Sequence, residues 1–370
     1  MKQVLIVPPW EPWQNNQMFS GAEGCVYTKA FALWRDRAGE QGFELNTWEI
    51  KPLSEADCVW MMDLPRRKAI FQEVKQGARP KVPFVLQVLE SPVITPQSFS
   101  DANRRYFDAV VSYELELDEK QNAFRYYLPN SPCRPARNLS FGDRRCAVML
   151  NSNRVEGWFA VRQKGREGLP GIGRHLTGWR VPLARLLQPA QGELYSWRRR
   201  LVRTADALDS GVLDVYGHGW KGEQISWCPL YQNLSYRSAT PPAIACDPRV
   251  EKRQIKTDLF SRYRFGIGAE NYIGRLGYIS EKIFDAMAAG VVPVYLGEER
   301  VADYVPASAF VDVRNFGNER ELLLYLRSCS ETEWGAMRDA GQVFLQSGRF
   351  SPFTDRAFAE RMVEILKRLL

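Results

Sequence analysis

Histidine is almost missing from this 370-residue chain: only His175 and His218 occur, which nearly excludes a metal centre built on imidazole. The seven cysteines (Cys25, Cys58, Cys133, Cys146, Cys228, Cys246 and Cys329) make an odd count with no CxxC pair, so they read as reduced thiols and not as a disulfide framework. Long apolar runs are missing too. The longest, Ala286 to Leu296, is broken by Gly290 and Pro293, whereas a membrane-spanning helix needs about 20 apolar residues. The opening MKQVLIVPPW has one lysine and a short apolar run before two prolines, less than the roughly 7–15 apolar residues of a signal peptide. The expectation is a cytoplasmic chain whose membrane contact, if any, is peripheral at the inner face. There is no convincing Asp-x-Asp metal motif and no repeat of solenoid length.

What is present is globular. Hydrophobic residues make up 45%, charged residues 25% and aromatics 12%, which rules out disorder and fibrous repeats. The length points to two domains or so. Fifty Lys+Arg against 43 Asp+Glu leave +7, a mild excess that suits a phosphorylated ligand or an anionic surface without requiring either.

Short β-branched and apolar runs alternate with helical patterns. Val4–Val7 is stopped by Pro8-Pro9 and reads as a buried strand. Tyr27 to Arg37 carries Tyr27, Phe31 and Trp34 at helical spacing, with Gly39 as its stop. Phe43–Ile50, Cys58–Met62, Phe84–Leu89 and Phe107–Ser112 read as further strands, with a helix over Arg66–Gln76 between them. This alternation predicts a parallel sheet with helices on both faces over residues 1–140. Pro129, Pro132 and Pro135 mark a linker. A second unit over 146–352 begins at Cys146–Leu150 and continues through a helix over Trp197–Leu208 and strands at Leu213–Tyr216 and Arg264–Ile267. It ends with a helix over Ser280–Ala289 and strands at Val291–Leu296 and Phe310–Val313. The Gly/Arg-rich stretch from Arg154 to Gly192, with the insertion 157–192 inside it, reads as loop with one possible helix. The last segment, 353–370, is amphipathic and is expected to pack back on the first domain.

The sharpest local pattern runs from Tyr263 to Gly297: a strand, the polar turn Glu270-Asn271 to Gly277, a helix opening Ser280-Glu281-Lys282, then a strand. Ser280 is placed to cap the helix, and free N–H groups beside a lysine suit a diphosphate. A charged first turn is also ordinary, with Glu281 complementing the helix dipole and Lys282 solvated. Spacing alone leaves these two readings level.

The stretch ENYIGRLGYISEKIFDAMAAGVVPVYLG resembles the signature of the α-1,3-fucosyltransferases, glycosyltransferase family 10. Phe84–Pro92 resembles the family's aromatic strand ending in E-S-P, and Phe107–Tyr113 its following strand. Glu193–Arg198 and Asp214–Trp220 resemble the E-L-Y-x-x-R helix and D-x-Y-G-x-G-W turn of bacterial members. The resemblance covers most of residues 84–320. It implies an α/β GT-B fold, two Rossmann-like domains facing a central cleft, with acceptor bound by the first and GDP-fucose by the second. It implies Glu90 as the general base, at a strand end where open α/β sheets bind ligands. It assigns Arg198 to the donor pyrophosphate, and Asn271, Tyr278, Glu281 and Lys282 to the nucleotide and fucose.

The sequence departs from the family pattern at Ser280, which replaces a threonine, and at Ala269, which replaces an aromatic. The turn after Asn271 is one residue longer and carries Arg275, and the stretch 157–180 has no counterpart. Trp10 and Trp13, on the loop after the first strand, are candidates for acceptor contact, and His218 reads as a turn residue without a catalytic duty. The expected activity is an inverting transfer of fucose from GDP-fucose to an acceptor glycan, α-1,3-linked, with no metal and no cofactor. The rival readings are a transferase of another nucleotide sugar, or a non-catalytic nucleotide-sugar or nucleic-acid binder using the basic stretch 154–203.

Overall fold

Two apolar runs far apart in the sequence, Val4–Val7 and Cys58–Met62, lie side by side as the centre of a parallel sheet. The computed structural model describes residues 1–21, 27–64, 76, 82–136, 138–153, 192–208, 211–217, 220, 223–225, 234–236 and 252–370. The helix expected over Arg66–Gln76 and the stretch 157–192, each except its last residue, and His218 lie outside them.

The first sheet contains β1 (Lys2–Val7), β2 (Phe43–Thr47), β3 (Cys58–Met62), β4 (Phe84–Gln87), β5 (Ala109–Ser112) and β6 (Ala123–Arg125) in the order β2-β1-β3-β4-β5-β6. Every pairing is parallel. The second sheet contains β7 (Arg145–Leu150), β8 (Leu213–Tyr216), β11 (Tyr263–Gly274), β12 (Val292–Glu298) and β13 (Val311–Asp312), ordered β13-β12-β11-β7-β8 and again parallel. Between them in sequence, β9 (Glu223–Ile225) and β10 (Leu234–Tyr236) form an antiparallel pair. In both sheets the chain steps outward once and then crosses to the other side, between β1 and β3 and between β7 and β11. The carboxyl ends at such a switch are where open α/β sheets bind ligands.

Among the described residues the helices, apart from single turns, are α1 (Thr28–Glu40), α2 (Tyr195–Leu208), α3 (Lys252–Phe260), α4 (Glu281–Ala288), α5 (Glu319–Ser328), α6 (Glu331–Gln346) and α7 (Asp355–Leu369). None among the described residues is long and apolar enough to cross a membrane. Cys58, Cys133, Cys146 and Cys329 are free thiols.

Three of the element boundaries that differ from the sequence reading have a visible cause. Gly39 lies inside α1, and the helix ends one residue later. The turn falls at Gly42, whose φ of +85° suits glycine alone. Strand β2 stops at Thr47 because the Ile50 N–H turns back to the Thr47 carbonyl. Strand β11 runs on to Gly274, since its polar half finds partners. Glu193 bridges Tyr272, and the Leu194 N–H donates to the Asn271 carbonyl.

The final helix crosses back. Asn130 pairs with Thr354 at its start, and α7 then lies against α1. Phe358 is buried with its ring edge-on to Phe31 (5.8 Å) and Trp34 (6.3 Å) and near Tyr126 (5.7 Å). Arg361 Nε donates to the Arg125 carbonyl at 2.9 Å. The last helix thus belongs to the first sheet's core. Phe358→Ala should lower unfolding free energy by about 3–5 kcal/mol, the usual result of emptying a buried aromatic site. Urea denaturation measures this, and a loss within about 0.5 kcal/mol, typical of surface changes, would contradict the packing.

Candidate functional site

The carboxyl ends of the two sheets meet at the turn before α4. Gly277 has φ +84°, and a Cβ there would lie 2.4 Å from the Tyr113 carbonyl oxygen, so only glycine allows this approach. Its N–H donates to the buried Glu298 carboxylate at 2.5 Å. The next residue, Tyr278, comes from the second domain but is buried in the first domain's core, its ring 5.0 Å from that of Tyr113.

On the second-domain side, Glu270 is wholly buried and gathers the start of α4 around its carboxylate. Ser280 donates its N–H at 2.8 Å and its hydroxyl at 2.7 Å and 2.9 Å, and Lys282 Nζ donates at 3.0 Å. Ser280 therefore occupies the N-cap position without capping, because its hydroxyl is committed to Glu270 and accepts no helix N–H. Burial pulls Lys282 toward neutrality, but Glu270 and Glu281 (3.7 Å) outweigh it, and its pKa stands above the ordinary 10.5. A second cation, Lys256 on α3, reaches Asp285 at 2.8 Å and Glu281 at 4.0 Å. Sequence reading missed Glu270 and Lys256. An acid ten residues before a Ser-x-Lys helix start has no periodic signal, and α3 is joined to α4 only by the fold.

Arg198 is more deeply placed than expected. It is 1% exposed, and its Nη2 donates to the Ala269 carbonyl (2.6 Å), the Glu270 carbonyl (2.7 Å) and Asn271 Oδ1 (3.1 Å). Nε is buried with no partner, and burial lowers the guanidinium pKa. Arg198 thus locks Asn271 and the end of β11, and Nε is the donor left over for a bound group. Arg199 is half-buried and Arg203 exposed, as their helix face requires.

On the first-domain side, Glu90 follows β4 and is half-buried. Its N–H donates to Asp63, and its carbonyl accepts from the Tyr113 hydroxyl at 2.8 Å. Two phenols stand near both Glu90 and the second-domain Glu270. Burial raises the pKa of Tyr278 and of Tyr27, and in both cases the charges of Glu90 and Glu270 add to it. Glu90 and Glu270 therefore stand within electrostatic reach of the same rings. The two tryptophans divide. Trp13 is buried, edge-on to Phe31 at 5.2 Å, and is core, while Trp10 stacks edge-on against it at 4.5 Å and is exposed. Trp13 has no free face for a sugar, because the loop turns inward at Pro12 and packs it on α1.

Residues 214–335 match the family model described as Glycosyltransferase family 10 (fucosyltransferase) C-term. Human alpha-(1,3)-fucosyltransferase 7 is 40% identical over 105 residues, which is 26% of this chain and 30% of that one. Mouse 4-galactosyl-N-acetylglucosaminide 3-alpha-L-fucosyltransferase 9 is 41% identical over 79 residues, 21% of each. The matched part is thus under a third of each relative's length. Among solved structures, an alpha1,3-fucosyltransferase with GDP aligns over 99% of this chain and 90% of its own, with TM-score 0.50 and 15% identity. A DNA-modifying beta-glucosyltransferase aligns over 99% of both chains, with TM-score 0.53 and 12% identity. At such identities the likeness shows the fold, a GT-B pair of parallel-sheet domains.

Removing the ammonium from the Glu270 network should be costly. Lys282→Met leaves a fully buried carboxylate with Ser280 as its remaining donor among the described residues, and breaking such a pair costs about 3–5 kcal/mol. Because the Lys282 pKa is raised in the folded state, this stability is complete below pH 10.5 and lost only above it. Denaturation at neutral pH measures the loss, and a variant as stable as the parent would show that the pair is not desolvated.

Proposed function

We propose that this chain, which carries the C-terminal domain of glycosyltransferase family 10 over residues 214–335, is a fucosyltransferase that moves L-fucose from GDP-fucose to a hydroxyl of an acceptor glycan with inversion. The observation that carries the reading is that Glu90 and the Glu270–Ser280–Lys282 helix start both lie near one buried phenol, Tyr278, which packs on the Tyr113 that holds the Glu90 carbonyl. The family match bears on the second domain, and the GDP held by a solved structure of the same fold supports the donor.

In this reading the donor diphosphate lies at the N-terminus of α4, whose first-turn N–H groups Ser280 leaves uncapped. Lys282 and the helix dipole stabilise the charge that grows on GDP as the anomeric C–O bond breaks. Glu281 and Asn271 are placed for hydroxyls of the donor, and Arg198 holds Asn271 and offers Nε. Tyr278, buried between the domains, shapes the cleft from behind. On the opposite side Glu90 takes the proton of the acceptor hydroxyl as its oxygen attacks the anomeric carbon. Attack from the face opposite the leaving group turns a β-linked donor into an α-linked product. The mouse relative's name suggests a 4-galactosyl-N-acetylglucosaminide as the first acceptor to try and a 1,3 linkage as the first product to look for. Trp10 remains a candidate for acceptor stacking.

Glu90→Gln keeps shape and removes basicity. It should retain the melting temperature and GDP affinity of the parent and lose single-turnover transfer by roughly a hundredfold or more. GDP should protect both proteins against heat, by about 2.7 kcal/mol at a hundredfold excess over Kd, and UDP should not. Parent-like transfer by the variant would remove Glu90 from the mechanism, and equal protection by UDP would point to another nucleotide sugar.

A further inference from the structure

The chemistry assigned to Glu90 leaves unused a second carboxylate beside it. Asp63 follows β3 as Glu90 follows β4, and the two strands are in register at Met62 and Gln87. Asp63 is 1% exposed and takes a left-handed backbone, φ +46°. Its N–H donates to the Gln87 carbonyl at 2.7 Å. Its Oδ1 accepts from the Leu89 N–H at 3.1 Å and the Glu90 N–H at 3.4 Å, and its Oδ2 from the Glu90 N–H at 3.2 Å. The Thr95 hydroxyl donates to Oδ1 at 3.3 Å. With Tyr113 holding the Glu90 carbonyl, the peptide at residue 90 is gripped from both sides.

An asparagine could accept the same N–H groups and tolerates a left-handed backbone, without the cost of burying a charge. The carboxyl group therefore calls for a reason beyond loop shape. We propose that Asp63 is a positioning residue for Glu90: it fixes the Glu90 peptide and, on losing its own proton, makes the Glu90 carboxylate a stronger base. This rests on the reading of Glu90 as the base.

The electrostatics agree with the geometry. Burial and then the Glu90 charge push the Asp63 carboxyl up to about 7, against the hydrogen bonds from Leu89, Glu90 and Thr95. When Asp63 ionises, like-charge repulsion raises the proton affinity of Glu90. Among the described residues the surrounding groups come from both domains. Tyr113 and Tyr126 face both acids, Tyr27 and Tyr278 face Glu90, and burial raises the pKa of all four phenols. Glu114 lies beyond Tyr113, and Glu270 and Glu281, paired with Lys282, lie beyond Tyr27.

The test uses the full chain labelled with [5-13C]glutamate, the Glu90 signal being assigned by its loss in Glu90→Gln. Titrated from about pH 4 to pH 9, the parent signal should show two steps, the second near pH 7, and Asp63→Asn a single step. Stability follows the same sign. A raised acid contributes fully below its unfolded value of 3.8 and loses that contribution as pH rises through about 7, so the melting temperature of Asp63→Asn should gain on the parent across that interval. Should Asp63→Asn not fold, Thr95→Val removes a donor that favours the charged form and should move the second step upward. A parent signal with one step, or a second step that survives Asp63→Asn or ignores Thr95→Val, overturns the proposal. If instead Glu90→Gln transfers normally, the base assignment falls, and the two-step titration still decides the coupling of the two acids.

Discussion

The arrangement depends on one close approach, the seating of the Gly277–Tyr278 turn on the first domain. Glycine at φ +84° lets the backbone touch the Tyr113 carbonyl, and the next side chain is buried in a core built by the other sheet. Tyr113 uses the same few atoms twice, its ring against Tyr278 and its hydroxyl on the Glu90 carbonyl. The Glu90 loop and the start of α4 are therefore parts of one packed unit, although Glu90 and Gly277 stand 187 positions apart in the sequence. The return of α7 onto α1 reinforces that unit from behind, since Phe358 and Tyr126 pack together beneath the loops.

Around that seat, buried charge is handled by pairing. Glu270 is paired with Lys282 and hydrogen-bonded by Ser280, and Arg198 Nη2 donates to three oxygens of β11 while Nε stays without a partner. Isolated buried charges are expensive, whereas hydrogen-bonded pairs are tolerated and become rigid. The consequence is a preorganised helix start, with its lysine aimed by a carboxylate and not free to sample solvent. Electrostatic stabilisation of a leaving diphosphate is strongest where donors need no reorganisation.

Much of the fold was legible in the sequence because both sheets are parallel and buried, so their strands are short apolar runs. Val4–Val7, Cys58–Met62 and Leu213–Tyr216 appear almost as read. The misread boundaries, at Gly39 and after Ile267, come from tertiary partners that no local pattern reports. The motif residues Asn271, Tyr278, Glu281 and Lys282 do gather near one another, but their individual duties were less visible. Ser280 binds a carboxylate and does not cap, Arg198 clamps a strand, and Trp13 is core. Asp63 carried no signal at all, since one acid after a strand means nothing until β3 and β4 are known to be neighbours.

The proposed function turns on a single displacement in which an acceptor oxygen replaces GDP with inversion. Incubating the full chain with GDP-β-L-fucose and a 4-galactosyl-N-acetylglucosaminide, and reading the anomeric proton of the product by NMR, is its sharpest test. The expected product is an α-L-fucoside formed in step with GDP release. A β-linked product, or GDP-fucose left intact while a different nucleotide sugar is consumed, would contradict it.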